Sequence, residues 1–173
     1  MSDRQRIGAL LLVVILLFAG RLLWNRLFVE EPTIATAPQL YTVYFSSGNK
    51  TYLMPEYRFG EGTISQRLDA LVSGPQHPNL APLLPQGTRV ISYEESADLL
   101  YVNFSEDLLL HHSGGSIGEL ITIYGIVNTL TEIESVKRVQ ILVAGKMVST
   151  IAGHVDISNP LVRDWSLIGS QKL

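Results

Sequence analysis

The sequence predicts an α+β protein. It reads as a small ββα-ββα-ββ domain whose mainly antiparallel sheet is covered by two helices on one face, preceded by an N-terminal transmembrane helix. Three observations lead there. An apolar run fills the N-terminus. Two stretches with capping signals and helical spacing each follow a pair of β-rich segments. A last alternating segment ends in a glycine turn. At 173 residues, 46 % apolar and 17 % charged, the chain has room for one compact domain beside its apolar run.

Residues 1–6 form a basic start, 7–28 the anchor and 29–39 a tether. Ile7 to Phe18 is aliphatic or aromatic apart from Gly8 and Ala9, and the character resumes at Leu22-Leu23-Trp24 and Leu27-Phe28. A helix needs roughly 20 residues to cross a bilayer core, and the run meets that length if Arg21 and Arg26 extend toward headgroups. A cleaved signal is the weaker reading. The only A-x-A site is Ala35-Thr36-Ala37, far past the apolar run and followed by Pro38. Positive charge is balanced across the run, but a basic start before an apolar stretch favours a cytoplasmic N-terminus and an external domain. The expected location is the cell membrane, single-pass, with the C-terminal domain extracytoplasmic.

The folded domain is expected over residues 40–165, with 166–173 as a tail. Tyr41 to Phe45 and Thr51 to Phe59 read as a strand pair, and Pro55 argues for an edge or a bulge. Thr63 with Gln66 forms a capping box, and Ile64, Leu68, Leu71 and Val72 share one helical face before Gly74-Pro75. A proline-rich loop to Gly87 carries Leu80, Leu83 and Leu84 for packing. Arg89 to Tyr93 and Leu99 to Phe104 follow as strands, with Glu94 to Asp98 as the turn. Ser116 with Glu119 gives a second capping box, opening a helix whose apolar face is Ile117, Leu120, Ile121, Tyr124, Val127 and Leu130. Val139, Ile141 and Val143 alternate in the last long strand, and Gly145-Lys146 turns into Met147-Val148.

Composition excludes several functions. After Glu31 there are nine Lys/Arg against thirteen Asp/Glu, a net charge of −4, so no basic footprint for nucleic acid exists. With no cysteine there are no disulfides, thiolate metal sites or thiol nucleophiles. No G-x-S-x-G elbow or H-E-x-x-H helix is present. His111-His112 diverge on any regular backbone, so a metal site with His154 and Asp156 needs tertiary coincidence. Ser113-Gly114-Gly115-Ser116 could cradle an anion at a helix start but lacks a lysine. Gly153 to Asp156 and Ser158 to Pro160 read as a closing turn, with Asp156 and Ser158 bonding backbone, or else as a partner surface. Four tyrosines near the first hairpin, Tyr41, Tyr44, Tyr52 and Tyr57, could stack on sugars or serve the core. The expected interaction surface comprises Tyr52, Tyr57, His154 and Asp156; no catalytic residue, metal or cofactor is expected.

The ordered set Asn103-Phe104-Ser105, Gly115-Ser116, Glu119, Ile126 to Thr131, Val136, Val139, Gly145-Lys146 and Gly153 to Ser158 before Pro160-Leu161 resembles the sporulation and spore germination (GerM) domain family. The match runs from about Leu40 to Arg163. The resemblance implies an extracytoplasmic, membrane-associated module of bacterial envelopes, binding or structural and without an assigned reaction. Many relatives carry a lipidation cysteine, replaced here by the apolar run, and some carry two such domains. The expected function is a non-catalytic interaction or scaffold module linked to sporulation or germination, with envelope or sporulation proteins as partners and self-assembly open. The alternative is peptidoglycan binding; a wall hydrolase ranks third.

Overall fold

The computed structural model describes residues 15–24, 39–49 and 51–169. The chain divides into Met1–Ala37 and Pro38–Leu173. In the first unit, residues 15–24 are helical and expose Ile15, Leu16, Leu17 and Phe18. Among the described residues no helix is long and apolar enough to cross a membrane. The expected 7–28 anchor and 29–39 tether lie largely outside the described residues.

The second unit begins with a hairpin of β1 (Leu40–Ser47) and β2 (Leu53–Phe59), with β3 (Leu80–Ala81) on the far side of β1. Ser47 N–H donates to Tyr52 C=O and Gly60 N–H to Gln39 C=O, both at 2.9 Å. Antiparallel alternation between these two ends makes Val43↔Glu56 and Phe45↔Met54 hydrogen-bonded pairs. It also turns the backbone groups of Leu53, Pro55, Tyr57 and Phe59 outward. Pro55, opposite Tyr44, therefore costs the ladder nothing, and β2 is the edge strand that the proline called for.

Helix α1 (Ile64–Ser73) starts as expected. Thr63 Oγ1 accepts Gln66 N–H at 3.3 Å, and Gln66 Oε1 accepts Thr63 N–H at 3.2 Å and Gly62 N–H at 2.8 Å. Its buried face is rotated from the expected one: Arg67 is buried while Val72 is 42 % exposed. At about 100° per residue Val72 stands about 80° from Ile64, on the side away from Arg67, and so falls outside the buried arc. The loop that follows seats Leu83 and Leu84 in the core.

One sheet was expected; two are found. The second joins β4 (Val90–Ser96), β5 (Leu99–Phe104), β6 (Arg138–Val143) and β7 (Lys146–Met147), with β8 (Leu161–Val162) also on β6. β4 runs through Glu94 to Ser96, residues expected as turn, because Ala97 at φ 55° and Asp98 suffice to reverse the chain. β5 and β6 are parallel along six pairs, since a helical crossover links them and returns the chain to the same end of the sheet. The last hairpin turns on Ala144-Gly145, both at positive φ, so Lys146 is already in the strand.

Between β5 and β6 come α2 (Asp107–Leu110) and the long α3 (Ser116–Leu130). α3 packs against β1, α1, β6 and β8, so it touches both sheets and has no single buried face. Ile117 is 55 % exposed, Leu120 and Tyr124 are half-buried, and Ile123, Ile126, Thr122, Asn128 and Thr129 are buried instead. Gly125 is a socket: a Cβ there would lie 2.2 Å from Leu83 Cδ1. Trp165–Leu167 form a short 3-10 helix, and Ile168 bridges to Leu53.

Candidate interaction surface

β1 and β2 differ in how their outward edges are met. On β1, Thr129 Oγ1 accepts Tyr44 N–H at 2.9 Å, and the Arg67 guanidinium donates to Thr42 C=O and, at 3.3 Å, to Thr129 C=O. Arg67 also donates to Gly62 C=O at 2.8 Å and lies over the Tyr41 ring at 5.4 Å. Beyond β3, that edge is closed by side chains.

On β2 the outer edge forms the floor of an open groove of about 1030 Å³. One wall is His77, Asn79 and Leu80, the other Ser166, Ile168 and Gly169, and Tyr52 and Tyr57 line it between them. Glu56 holds the first wall: its carboxylate accepts Gln76 N–H at 2.8 Å and His77 N–H at 2.9 Å, and pairs with Arg58 at 2.8 Å. Arg58 in turn donates to Gly74 C=O at 2.6 Å and lies over Phe45. The second wall is held by Arg163, which pairs with Glu132, donates to the Tyr44 hydroxyl at 3.0 Å and stacks on Trp165 at 3.9 Å. The Tyr44 hydroxyl donates to Glu132 at 2.9 Å, and burial is the main influence raising its pKa. Asn128 fixes Asp164 through bonds of 2.8 and 3.0 Å.

The four residues expected at a surface divide. Tyr52 and Tyr57 meet at the groove. His154 and Asp156 sit in the loop after β7, and neither lines the groove. Asp156 accepts Ser158 N–H at 2.9 Å and Ser158 O–H at 2.6 Å, and these bonds lower its pKa. Among the described residues no three His, Asp or Glu side chains come close enough together to hold a metal ion. Of the tyrosines considered for sugar stacking, Tyr41 and Tyr44 are core residues. Exposed apolar groups missed by sequence reading include Leu40 and Phe59, which pair with each other, and Trp165. Phe59 had a readable signal: with Pro55 on an edge strand, period two places residues 57 and 59 alongside it.

The expected capping box at Ser116 does not form. Gly115 is the N-cap, without a side-chain cap bond. Glu119 is fully buried and turns away. It accepts Ile151 N–H at 3.0 Å, Ala152 N–H at 2.9 Å and His154 N–H at 2.8 Å. Burial pushes its pKa up, but these bonds and Val155 outweigh burial and hold it below the ordinary 4.5. The preceding glycine-rich turn is tied back by His112. Its Nδ1 accepts Gly114 N–H at 3.1 Å, so Nε2 carries the proton toward Thr122 Oγ1 at 3.2 Å, and Thr122 donates to Leu83 C=O at 3.0 Å. Burial lowers the pKa of His112, in keeping with this neutral form.

The family model for sporulation and spore germination, Germane, matches residues 42–149. A provisionally named lipoprotein from Clostridium perfringens is 29 % identical, with a TM-score of 0.53 over 77 % of this chain and 93 % of that one. The tandem GerMN domains of the sporulation protein GerM from Bacillus subtilis match at 20 % identity and a TM-score of 0.61, over 81 % of this chain and 50 % of that one. The first GerMN domain alone gives 18 % and 0.59, over 72 % and 98 %. No curated protein sequence matches the chain significantly. With more than half its length matched by the family model, and a mixed α+β fold shared with the GerMN domains, this chain belongs to the sporulation and spore germination family.

Proposed function

We propose that the protein is a non-catalytic interaction module held at the outer face of the membrane by the 7–28 segment, acting in sporulation or germination through contacts with other envelope proteins. Family membership supports the process, and the similarity to a lipoprotein supports the envelope setting. The observation that carries the interaction role is the groove. Its aromatic lining is exposed, Tyr57 at 62 %, while the charged side chains beside it, Glu56 and Arg163, are consumed in holding its walls. In vivo cross-linking of the full-length protein in sporulating cells tests the role: discrete complexes with envelope proteins are expected, and their absence would sink it.

The exposed tyrosines of the groove, with the exposed Trp165 outside its lining, favour one alternative, a peptidoglycan-binding surface built on Tyr52, Tyr57 and Trp165. Co-sedimentation of the detergent-solubilised full chain with purified peptidoglycan separates the two. Retention that Tyr57→Ala abolishes would favour glycan. Release of soluble wall fragments in the same assay would instead point to a hydrolase.

A further inference from the structure

We propose that the outer edge of β2, from Pro55 to Phe59, takes up an extended segment of another polypeptide as an added strand. This deepens the interaction reading above and rests on it. The outward groups on offer are the C=O of Pro55 and both backbone groups of Tyr57 and Phe59, and no described residue bonds them. They repeat at every second residue, about 7 Å apart, a donor and acceptor spacing that an extended backbone reproduces and a sugar chain does not.

The molecule already uses this edge once. Ile168 pairs in parallel with Leu53, and Gly169 N–H donates to Leu53 C=O at 2.8 Å. Gly169 approaches so closely that a Cβ there would meet the Tyr52 ring at 2.2 Å. The next rung toward Phe59 would need an N–H from residue 55, which as proline has none. The internal pairing thus fills the first rung, and the groove between the two walls continues past it.

Other edges suit a partner less. β1 is closed by Thr129 and Arg67, and β7 and β8 are two residues each. β4 carries Glu94 and Glu95 and an irregularity between Val90 and Ser92, features that discourage pairing. The β2 edge instead presents Tyr57, with Phe59 and its cross-strand neighbour Leu40 at 76 % and 58 % exposure. The fitting partner is a stretch of about five residues, apolar or β-branched at alternate positions, with a free N–H opposite Tyr57 C=O.

The test uses the full-length protein in lipid nanodiscs, a phage-displayed library of random peptides, and synthetic versions of the enriched sequences. Enriched peptides are expected to alternate apolar residues. They should lose about tenfold or more in affinity when alternate amides are N-methylated, because the paired donors vanish while the side chains remain. Tyr57→Pro, which removes one outward N–H and leaves the β1 ladder intact, should give a similar loss; should it misfold, the N-methylated peptide on the unaltered protein carries the test. No enrichment, equal binding of the N-methylated peptide, or displacement of the peptide by soluble muropeptides overturns the proposal. Envelope complexes that persist in Tyr57→Pro cells overturn it too while leaving the broader reading intact. No complexes in wild-type cells, beside N-methyl-sensitive peptide binding, overturns the broader reading alone.

Discussion

The starts of α1 and α3 carry the same signal and end differently. Each has a glycine, then a hydroxyl residue, then Gln or Glu three positions on: Gly62-Thr63 with Gln66, and Gly115-Ser116 with Glu119. At α1 the box closes on itself. At α3 the carboxylate leaves the cap and holds a loop more than thirty residues away in sequence. Charge and reach account for the difference. A neutral amide gains little by leaving a cap, whereas a carboxylate gathering several N–H groups forms charge-assisted bonds roughly twice as strong. A local motif names the groups that need partners; tertiary structure decides which partners they get.

Removing the tertiary partner should have the largest effect. Glu119→Ala leaves the N–H groups of Ile151, Ala152 and His154 without their acceptor, which should cost about 3 kcal/mol and lower the melting midpoint by about 10 °C. A midpoint shift of only a degree or two would show that water replaces the carboxylate. Acid provides a milder version. Because the folded-state pKa of Glu119 is depressed, its stabilisation is fully present above the unfolded value and is lost as pH falls through the folded one. Hydrogen-exchange protection at residues 151–155, measured relative to the intrinsic rate at each pH, should fall as pH drops below 4.5, and in Glu119→Gln that acid dependence should flatten. Thr63→Ala removes one cap bond and should cost about 1 kcal/mol in chemical denaturation. Ser116→Ala should stay within about 0.5 kcal/mol, since its hydroxyl caps nothing. Equal losses at Thr63 and Ser116 would erase the contrast.

What the sequence displayed follows the same division. The first hairpin, α1 with its cap, the buried loop leucines and the strands at β5 and β6 lie where period and turn chemistry put them. β4 hid its last residues because an edge strand facing water looks like a turn; Glu94 and Glu95 are both exposed. β1 hid which tyrosines were available. It is buried on both faces, so alternation could not separate Tyr41 and Tyr44 from an exposed set. The second sheet depends on a parallel pairing across the whole of α3, a long-range fact with no local mark. Of the groove lining, Tyr52 and Tyr57 stood out in the sequence. The wall of Ser166, Ile168 and Gly169 did not, because Arg163, which holds it, is fixed by a bond to Tyr44 more than a hundred residues away.

Gly125 has a consequence for how the molecule comes apart. Glycine within a helix forfeits about 1 kcal/mol of local stability relative to alanine, and here the vacancy is filled by Leu83 from a loop of a different origin. Helix strength and loop docking are therefore linked in one cooperative step: α3 regains through Leu83 what its backbone gives up. Heat or denaturant should melt residues 80–85 and α3 at a common midpoint, with neither surviving as an independent remnant.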